Sequence, residues 1–128
     1  PNTGYIYTYV RRETAVREKD IEKILVDGVK GTGGRAYKWV SPGNNGVPDR
    51  IVFLPGGRII FVELKTDTGT LSSLQRVQIK RLRELGQTVE VVKGISGVIQ
   101  FFEDYGYLDA ASRIRTRYEP MGGEQDDI

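Results

Sequence analysis

Residues 41–65 read Ser-Pro-Gly-Asn-Asn-Gly-Val-Pro-Asp-Arg (41–50), Ile-Val-Phe-Leu (51–54), Pro-Gly-Gly (55–57) and Arg-Ile-Ile-Phe-Val-Glu-Leu-Lys (58–65). The pattern is a glycine-rich loop, a short apolar run, a tight turn and a second apolar run. Two β-branched and aromatic runs joined by Pro55, Gly56 and Gly57 predict an antiparallel hairpin with strands near 50–54 and 58–65. Side chains in a strand repeat every two residues, so Glu63 and Lys65 share one face. Asp49 opens the first strand just after Pro48, and the hairpin brings it beside Glu63. Two carboxylates and a lysine at one sheet end suit a hard divalent cation and a polarised water.

Outward from the hairpin, the other elements follow by periodicity. From about Thr14 the pattern is helical, with Val16, Ile21, Ile24, Leu25 and Gly28 at roughly 3.6-residue spacing. Gly31, Thr32, Gly33 and Gly34 end that helix; a nucleotide loop would follow a strand and open a helix instead. Residues 36–40, Ala-Tyr-Lys-Trp-Val, alternate as a strand, with Trp39 expected in the core. A second helix is expected from about Ser72 to Leu85, with Ser72 or Ser73 placed to cap it and Gly86 stopping it. Leu71, Leu74, Leu82 and Leu85 form its apolar stripe, and Gln75 and Gln78 fall inside that stripe. A core-facing glutamine needs partners for its amide. Gln75 therefore either faces the end of the sheet or reaches back to solvent. A strand over 88–93, a helix over 96–105 and a helical stretch over 110–118 complete the order.

The expected fold class is α/β: a mixed sheet of about four strands flanked by helices, in the order αβββαβ. The Pro-Gly-Gly hairpin is antiparallel, and the helix between the third and fourth strands permits a parallel crossover. With 128 residues, one domain is expected, assigned to 13–108. It is preceded by a tyrosine-rich extension, 1–12 (Tyr5, Tyr7, Tyr9), and followed by an extension, 109–128, whose acidic end is expected to be disordered.

Composition excludes much chemistry. The chain has no His and no Cys, which rules out histidine bases, Ser-His triads, His- or Cys-ligated zinc, disulfides and thiol nucleophiles. An enzyme built from it works with Asp, Glu, Lys, Tyr or a metal. The formal charge is +2, unevenly spread. Residues 119–128 hold four acids and no Lys or Arg, leaving 19 bases against 13 acids elsewhere, about +6, a modest attraction for polyanions. No apolar run approaches the roughly 18 residues of a membrane span, and no signal-peptide pattern is present, so the cytoplasm is expected, that of a host cell for a viral protein.

Taken alone, a Glu-x-Lys triplet arises in about half of chains this size, and such a pair also serves as a surface ion pair at an edge strand. The linked set is more specific: Pro48-Asp49 opening one strand, Glu63-Leu64-Lys65 ending the next, a tight turn between. Phosphodiester hydrolysis needs oxygen ligands for Mg²⁺, an activated water and positive charge against the developing anion. Asp49, Glu63 and the Leu64 carbonyl supply oxygens, and Lys65 stands to orient or deprotonate water.

These residues resemble the PD-(D/E)XK nuclease superfamily. The longer string, Gly-Val-Pro-Asp-Arg (46–50), Pro-Gly-Gly-Arg (55–58), Val-Glu-Leu-Lys (62–65), Leu-Ser-Ser-Leu-Gln (71–75) and Arg-Leu-Arg-Glu-Leu-Gly (81–86), is similar to its VRR-NUC, or virus-type replication-repair nuclease, branch over about 17–92. The resemblance implies a restriction-endonuclease-like core, with Asp49 and Glu63 as metal-binding carboxylates, Lys65 as catalytic lysine and Gln75 as the glutamine after the Leu-Ser motif. It also implies a glutamate on the first helix at the metal site, which Glu18 fits best, with Glu22 one turn along as the alternative. Stand-alone viral and bacterial members resemble dimeric resolvases of four-way (Holliday) DNA junctions.

The expectation is thus a Mg²⁺- or Mn²⁺-dependent structure-specific DNA endonuclease, acting as a homodimer. Flap- or nick-specific cleavage, or a non-catalytic DNA-binding module, are the alternatives. Lys38, Arg50, Arg58, Arg76 and Lys80 are candidate DNA contacts because they flank the site or project from adjoining elements. Ser41 and Asn44 stand in the loop that offers backbone amides to a phosphate.

Overall fold

The computed structural model describes residues 16–118. The tyrosine-rich start, Thr14 and the acidic end from Glu119 lie outside the described residues. Helix α1 (Glu18–Gly31) leads to strands β1 (Arg35–Lys38), β2 (Arg50–Leu54) and β3 (Arg58–Lys65). Helix α2 (Ser73–Glu84), strand β4 (Val89–Lys93) and helices α3 (Gly94–Asp104) and α4 (Leu108–Tyr118) follow.

Four strands make one sheet in the order β1-β2-β3-β4. The first two pairings are antiparallel and β3–β4 is parallel, with α2 as its crossover. The sheet is therefore mixed, as expected. Gly56 and Gly57 both have positive φ (87° and 82°), the left-handed pair that a tight hairpin turn requires and glycine supplies without steric cost. At the end of α1, the Gly34 amide donates to the Val29 carbonyl at 3.1 Å and Gly33 to Lys30 at 3.0 Å, so the Gly-Thr-Gly-Gly run is a helix terminus.

Alternation divides the sheet into two faces. Ala36, Val52 and Ile60 stand in one register row and are buried, as are Leu54, Val62 and Leu64 on the same face. Against them pack Ile21, Leu25 and Val29 of α1, Val98 and Phe102 of α3, and Ala111 and Ile114 of α4. Each fully buried Val, Leu, Ile or Phe contributes about 1.5–3 kcal/mol by leaving water. Gly28 is needed here, since a Cβ on it would stand 2.6 Å from the Phe102 ring.

Three expectations are corrected. The leucine stripe of α2 is not its buried side: Leu74 and Leu85 are 55% and 75% exposed, and Ile79 is the helix's buried residue. Helix α2 packs on β4 with Gln75 and Ile79 toward the sheet, and of the stripe leucines only Leu71 and Leu82 are partly buried. Trp39 lies beyond the end of β1, half-buried, its ring 5.2 Å from Phe61 on the face away from the main core. Helix α3 begins at Gly94, directly from β4, because Gly94 takes φ +69° and turns the chain without a linker.

Candidate active site

The hairpin places the carboxylates where alternation predicted. Pairing of β2 with β3 stops at Arg50 opposite Val62, so Glu63, Leu64 and Lys65 run past the start of β2. Asp49 fills that gap: the Leu64 amide donates to Asp49 Oδ2 at 2.8 Å. N–H and C=O of one strand residue point to the same side, so the Leu64 carbonyl also faces the gap. Burial raises the Asp49 pKa and the Glu22 charge adds to the rise, while the Leu64 amide, Lys38 and Lys65 oppose it.

Glu63 is 1% exposed, the one charged residue among the buried set. Its Oε2 accepts from Gln75 Nε2 at 2.9 Å and lies 3.7 Å from Lys65 Nζ. Its Oε1 is buried with no hydrogen-bond partner. Burial first, then the Asp49 charge, push its pKa up to about 7. An orphaned carboxylate oxygen in a desolvated, like-charged setting is costly and calls for a cation. The donor set fits one: hard oxygens, no nitrogen or sulfur. Among the described residues no group of three or more Asp or Glu side chains is drawn together as a closed metal cluster.

Gln75 owes its orientation to the start of α2. The Ser72 hydroxyl accepts from the Gln75 amide N–H at 3.1 Å, and the Ser72 N–H donates to Gln75 Oε1 at 2.9 Å. This reciprocal capping box leaves Nε2 free to reach Glu63. Of the two readings open for Gln75, the side chain thus takes the one at the sheet end. Ser72, read from sequence only as a cap, also fixes that amide; the Ser-x-x-Gln spacing was its signal.

The two helix glutamates differ. Glu22 is engaged by Arg50 Nε at 2.6 Å and lies 3.7 Å from Lys38 Nζ. Glu18 makes no ion pair among the described residues. Partial burial raises its pKa, with Asp49 and Glu22 adding and Lys65 opposing, so it shares the field of the site.

The cationic candidates separate as well. Arg50 is turned inward, bonded to Glu22 and to the Ala36 carbonyl at 3.0 Å, because alternation sets it on the Val52 face. Arg58 does not flank the site. It stands at the hairpin end of β3, five residues from Glu63 or about 16 Å of strand, between the rings of Tyr105 and Tyr107. Lys38 stays beside Asp49 and Glu22. Ser41 and Asn44 close a turn, Asn44 Nδ2 donating to Ser41 Oγ at 3.0 Å. Arg76, Lys80, Arg83 and Glu84 line an open cleft of about 470 Å³ with Leu71 and Ile79, and Lys80 Nζ lies 3.3 Å from Glu84.

The VRR-NUC domain family model matches residues 15–95, which span Glu18, Asp49, Glu63, Lys65 and Gln75. The chain belongs to the VRR-NUC domain family. Its fold is the restriction-endonuclease-like α/β architecture of that family of nucleases. A protein named "Putative nuclease p44", from Acyrthosiphon pisum secondary endosymbiont phage 1, is 51% identical over 77 residues, covering 60% of this chain and 83% of that protein. A solved structure described as a VRR_NUC domain is similar with a TM-score of 0.66 and 30% identity, over 71% of this chain and 99% of that one. No helix among the described residues is long and apolar enough to cross a membrane.

Proposed function

We propose that this VRR-NUC nuclease is a Mg²⁺- or Mn²⁺-dependent DNA endonuclease that acts on branched DNA, with four-way junctions as its substrate and two copies acting together. The observation that carries the metal-dependent reading is the buried, unpartnered Glu63 Oε1 beside Asp49. Asp49, Glu63 and the Leu64 carbonyl would hold the cation, with Glu18 facing it from α1. A divalent cation held there would supply polarisation of the phosphodiester and a more acidic water. Lys65, its side chain 13% exposed, would orient or deprotonate that water and offset negative charge developing on the phosphate oxygens. Gln75 holds Glu63 in one rotamer. Lys38 beside Asp49 and Arg76 on the first turns of α2, next to Gln75, would favour a phosphate backbone. Paired cuts on opposed strands call for two sites, and one domain of this size supplies one.

The test is cleavage of a labelled four-way junction beside nicked, flapped and linear duplexes. Each is run with Mg²⁺, with Mn²⁺ and with EDTA, for the intact chain and Asp49→Asn. Paired metal-dependent cuts in the junction, abolished by Asp49→Asn, are expected. Preferential cutting of flaps or linear duplex would keep the chemistry and move the substrate. Tight junction binding unchanged by EDTA, with no cutting, would leave a DNA-binding module.

A further inference from the structure

Strands β3 and β4 run parallel and end together, with Lys65 and Lys93 as register partners at their C-terminal ends. Partners in a parallel pair share a face, and neighbouring strands lie about 4.8 Å apart. Glu63, Lys65 and Lys93 therefore stand on one face of the sheet end, while Asp49 lies on the β2 side of β3. Across the strand ends the order is Asp49, then Glu63 and Lys65, then Lys93.

Local structure makes Lys93 project at this edge. Along β4 the row passes from buried Val89 through half-buried Val91 to exposed Lys93, so the lysine emerges from the cover of α2. Gly94 follows with φ +69°, which ends the extended chain at Lys93 and turns it directly into α3. Lys93 is the N-cap residue of that helix, with φ −110° and ψ 118°, and its side chain makes no cap hydrogen bond. Asp67, in the turn after β3, lies against Gly94, where a Cβ would run into its carboxylate. It forms no ion pair with Lys93. Lys23, Lys38, Lys65 and Lys80 each lie within 3.7 Å of an acid, whereas Lys93 has no such partner among the described residues. Its register neighbour is another cation, an unfavourable pairing unless an anion joins the two.

We propose that Lys93 is a substrate-binding residue of the nuclease site, its ammonium taking the phosphate that flanks the scissile one on the side away from the cation. Asp49, Glu63 and the Leu64 carbonyl set the cation, and with it the scissile phosphate, on the β2 side of β3. A DNA strand lying across the sheet end then carries its next phosphate over β4, where Lys93 is exposed and unpaired. Lysine meets a phosphate oxygen as a point charge and carries no base preference, so the contact fixes the register of the strand rather than its sequence. The inference rests on the nuclease reading above. It adds a residue outside every motif string, which only the parallel register of β3 and β4 brings to the site.

Binding and cutting test it separately. Affinity for a labelled four-way junction is measured by fluorescence anisotropy in EDTA between about 50 and 200 mM salt. Lys93→Ala should lower the slope of log affinity against log salt by about 0.9, the share of one phosphate, and weaken binding about fivefold to tenfold near 0.1 M salt. Lys93→Arg should restore both. Lys30→Ala, in the last turn of α1, controls for the loss of one positive charge and should keep the wild-type slope. In steady-state cleavage with Mg²⁺, Lys93→Ala should raise KM by a similar factor and leave kcat within about twofold. A neutral methylphosphonate is then placed on each side of the cut in turn. On one side it should weaken wild-type binding as Lys93→Ala does and have no further effect on that variant. Lys93 is exposed and makes no cap bond, so circular dichroism should be unchanged. A wild type that cuts, with Lys93→Ala matching it in slope and KM, would overturn this inference alone. A fall in kcat with binding intact would also overturn it, placing Lys93 with Lys65 at the scissile phosphate, as would methylphosphonate effects that add to Lys93→Ala on both sides. A wild type that cuts nothing yet binds with the Lys93-dependent slope would keep Lys93 as a phosphate contact and sink the nuclease reading.

Discussion

Replacing Glu63 by glutamine should make the metal-free protein more stable at alkaline pH while abolishing its use of Mg²⁺. The carboxyl is 1% exposed, one oxygen has no partner, and its pKa rises from 4.5 to about 7. Below pH 4.5 the group is protonated in folded and unfolded chains alike, and the fold suffers nothing from it. Between 4.5 and 7 the unfolded chain ionises first, so folding stability falls as pH rises. Above 7 the folded state is charged too and the full penalty stands, on the order of 3 kcal/mol for a rise of this size. Glutamine removes the charge but keeps an acceptor for Gln75 Nε2, and the rise to about 7 already includes the opposing pull of Lys65 3.7 Å away. Glu63→Gln is therefore expected to gain about 3 kcal/mol at pH 8 in EDTA, and close to zero at pH 4.5. Urea denaturation followed by circular dichroism at the two pH values measures this. Millimolar Mg²⁺ should raise the stability of the wild type at pH 8 and leave the variant unmoved, since binding only to the folded form stabilises it. Wild-type stability that is flat or rising from pH 4.5 to 8, or a variant less stable at pH 8, would refute the reasoning. Glu63 would then be a satisfied partner of Lys65, as the DNA-binding alternative requires.

Glu22→Gln should lower stability by about 1–2 kcal/mol in a thermal melt, because it breaks the partly buried pair with Arg50. Glu18→Gln should leave the melt nearly unchanged and weaken Mn²⁺ binding measured by calorimetry. Ser72→Ala should cost about 1 kcal/mol as a lost helix cap, because the Gln75 backbone N–H loses the Ser72 hydroxyl as its acceptor while the backbone N–H of residue 72 still donates to Gln75 Oε1; Ser72→Thr should recover the loss in chemical denaturation. Gly46→Ala should destabilise by more than about 2 kcal/mol, since the residue has φ +90° and a Cβ would stand 2.8 Å from the Leu74 carbonyl; chemical denaturation reads the loss.

Much of this was legible. Pro55, Gly56 and Gly57 between two apolar runs fix the hairpin, and its period of two puts Glu63 and Lys65 together. The same period places Arg50 on the Val52 face, and the position of Arg58 directly after the turn puts it at the end of β3 away from Glu63. Glu18 and Glu22 could not be separated that way, because residues four apart share a helix face. What distinguishes them is Arg50, twenty-eight residues downstream of Glu22, a tertiary contact. The α2 stripe failed for a related reason. Periodicity gives the angular spread of leucines but not the direction of the sheet, and α2 takes its direction from Gln75 on Glu63 and Ile79 against β4.

The site end of the sheet is assembled by side-chain hydrogen bonds between remote segments rather than by apolar packing. Asp49 is set by the Leu64 amide, Glu63 by a glutamine that a helix cap orients, and the 41–47 loop by Gln78 on the Asn45 carbonyl and by the close passage of Gly46 past Leu74. The apolar core lies on the opposite face, between the sheet and α1, α3 and α4. This separation lets the face that carries Glu63 hold buried charge at some cost in stability while the core face supplies the folding energy. It also explains why α2 is lightly buried: its bond into the sheet from Gln75 is polar and ends on the Glu63 carboxylate.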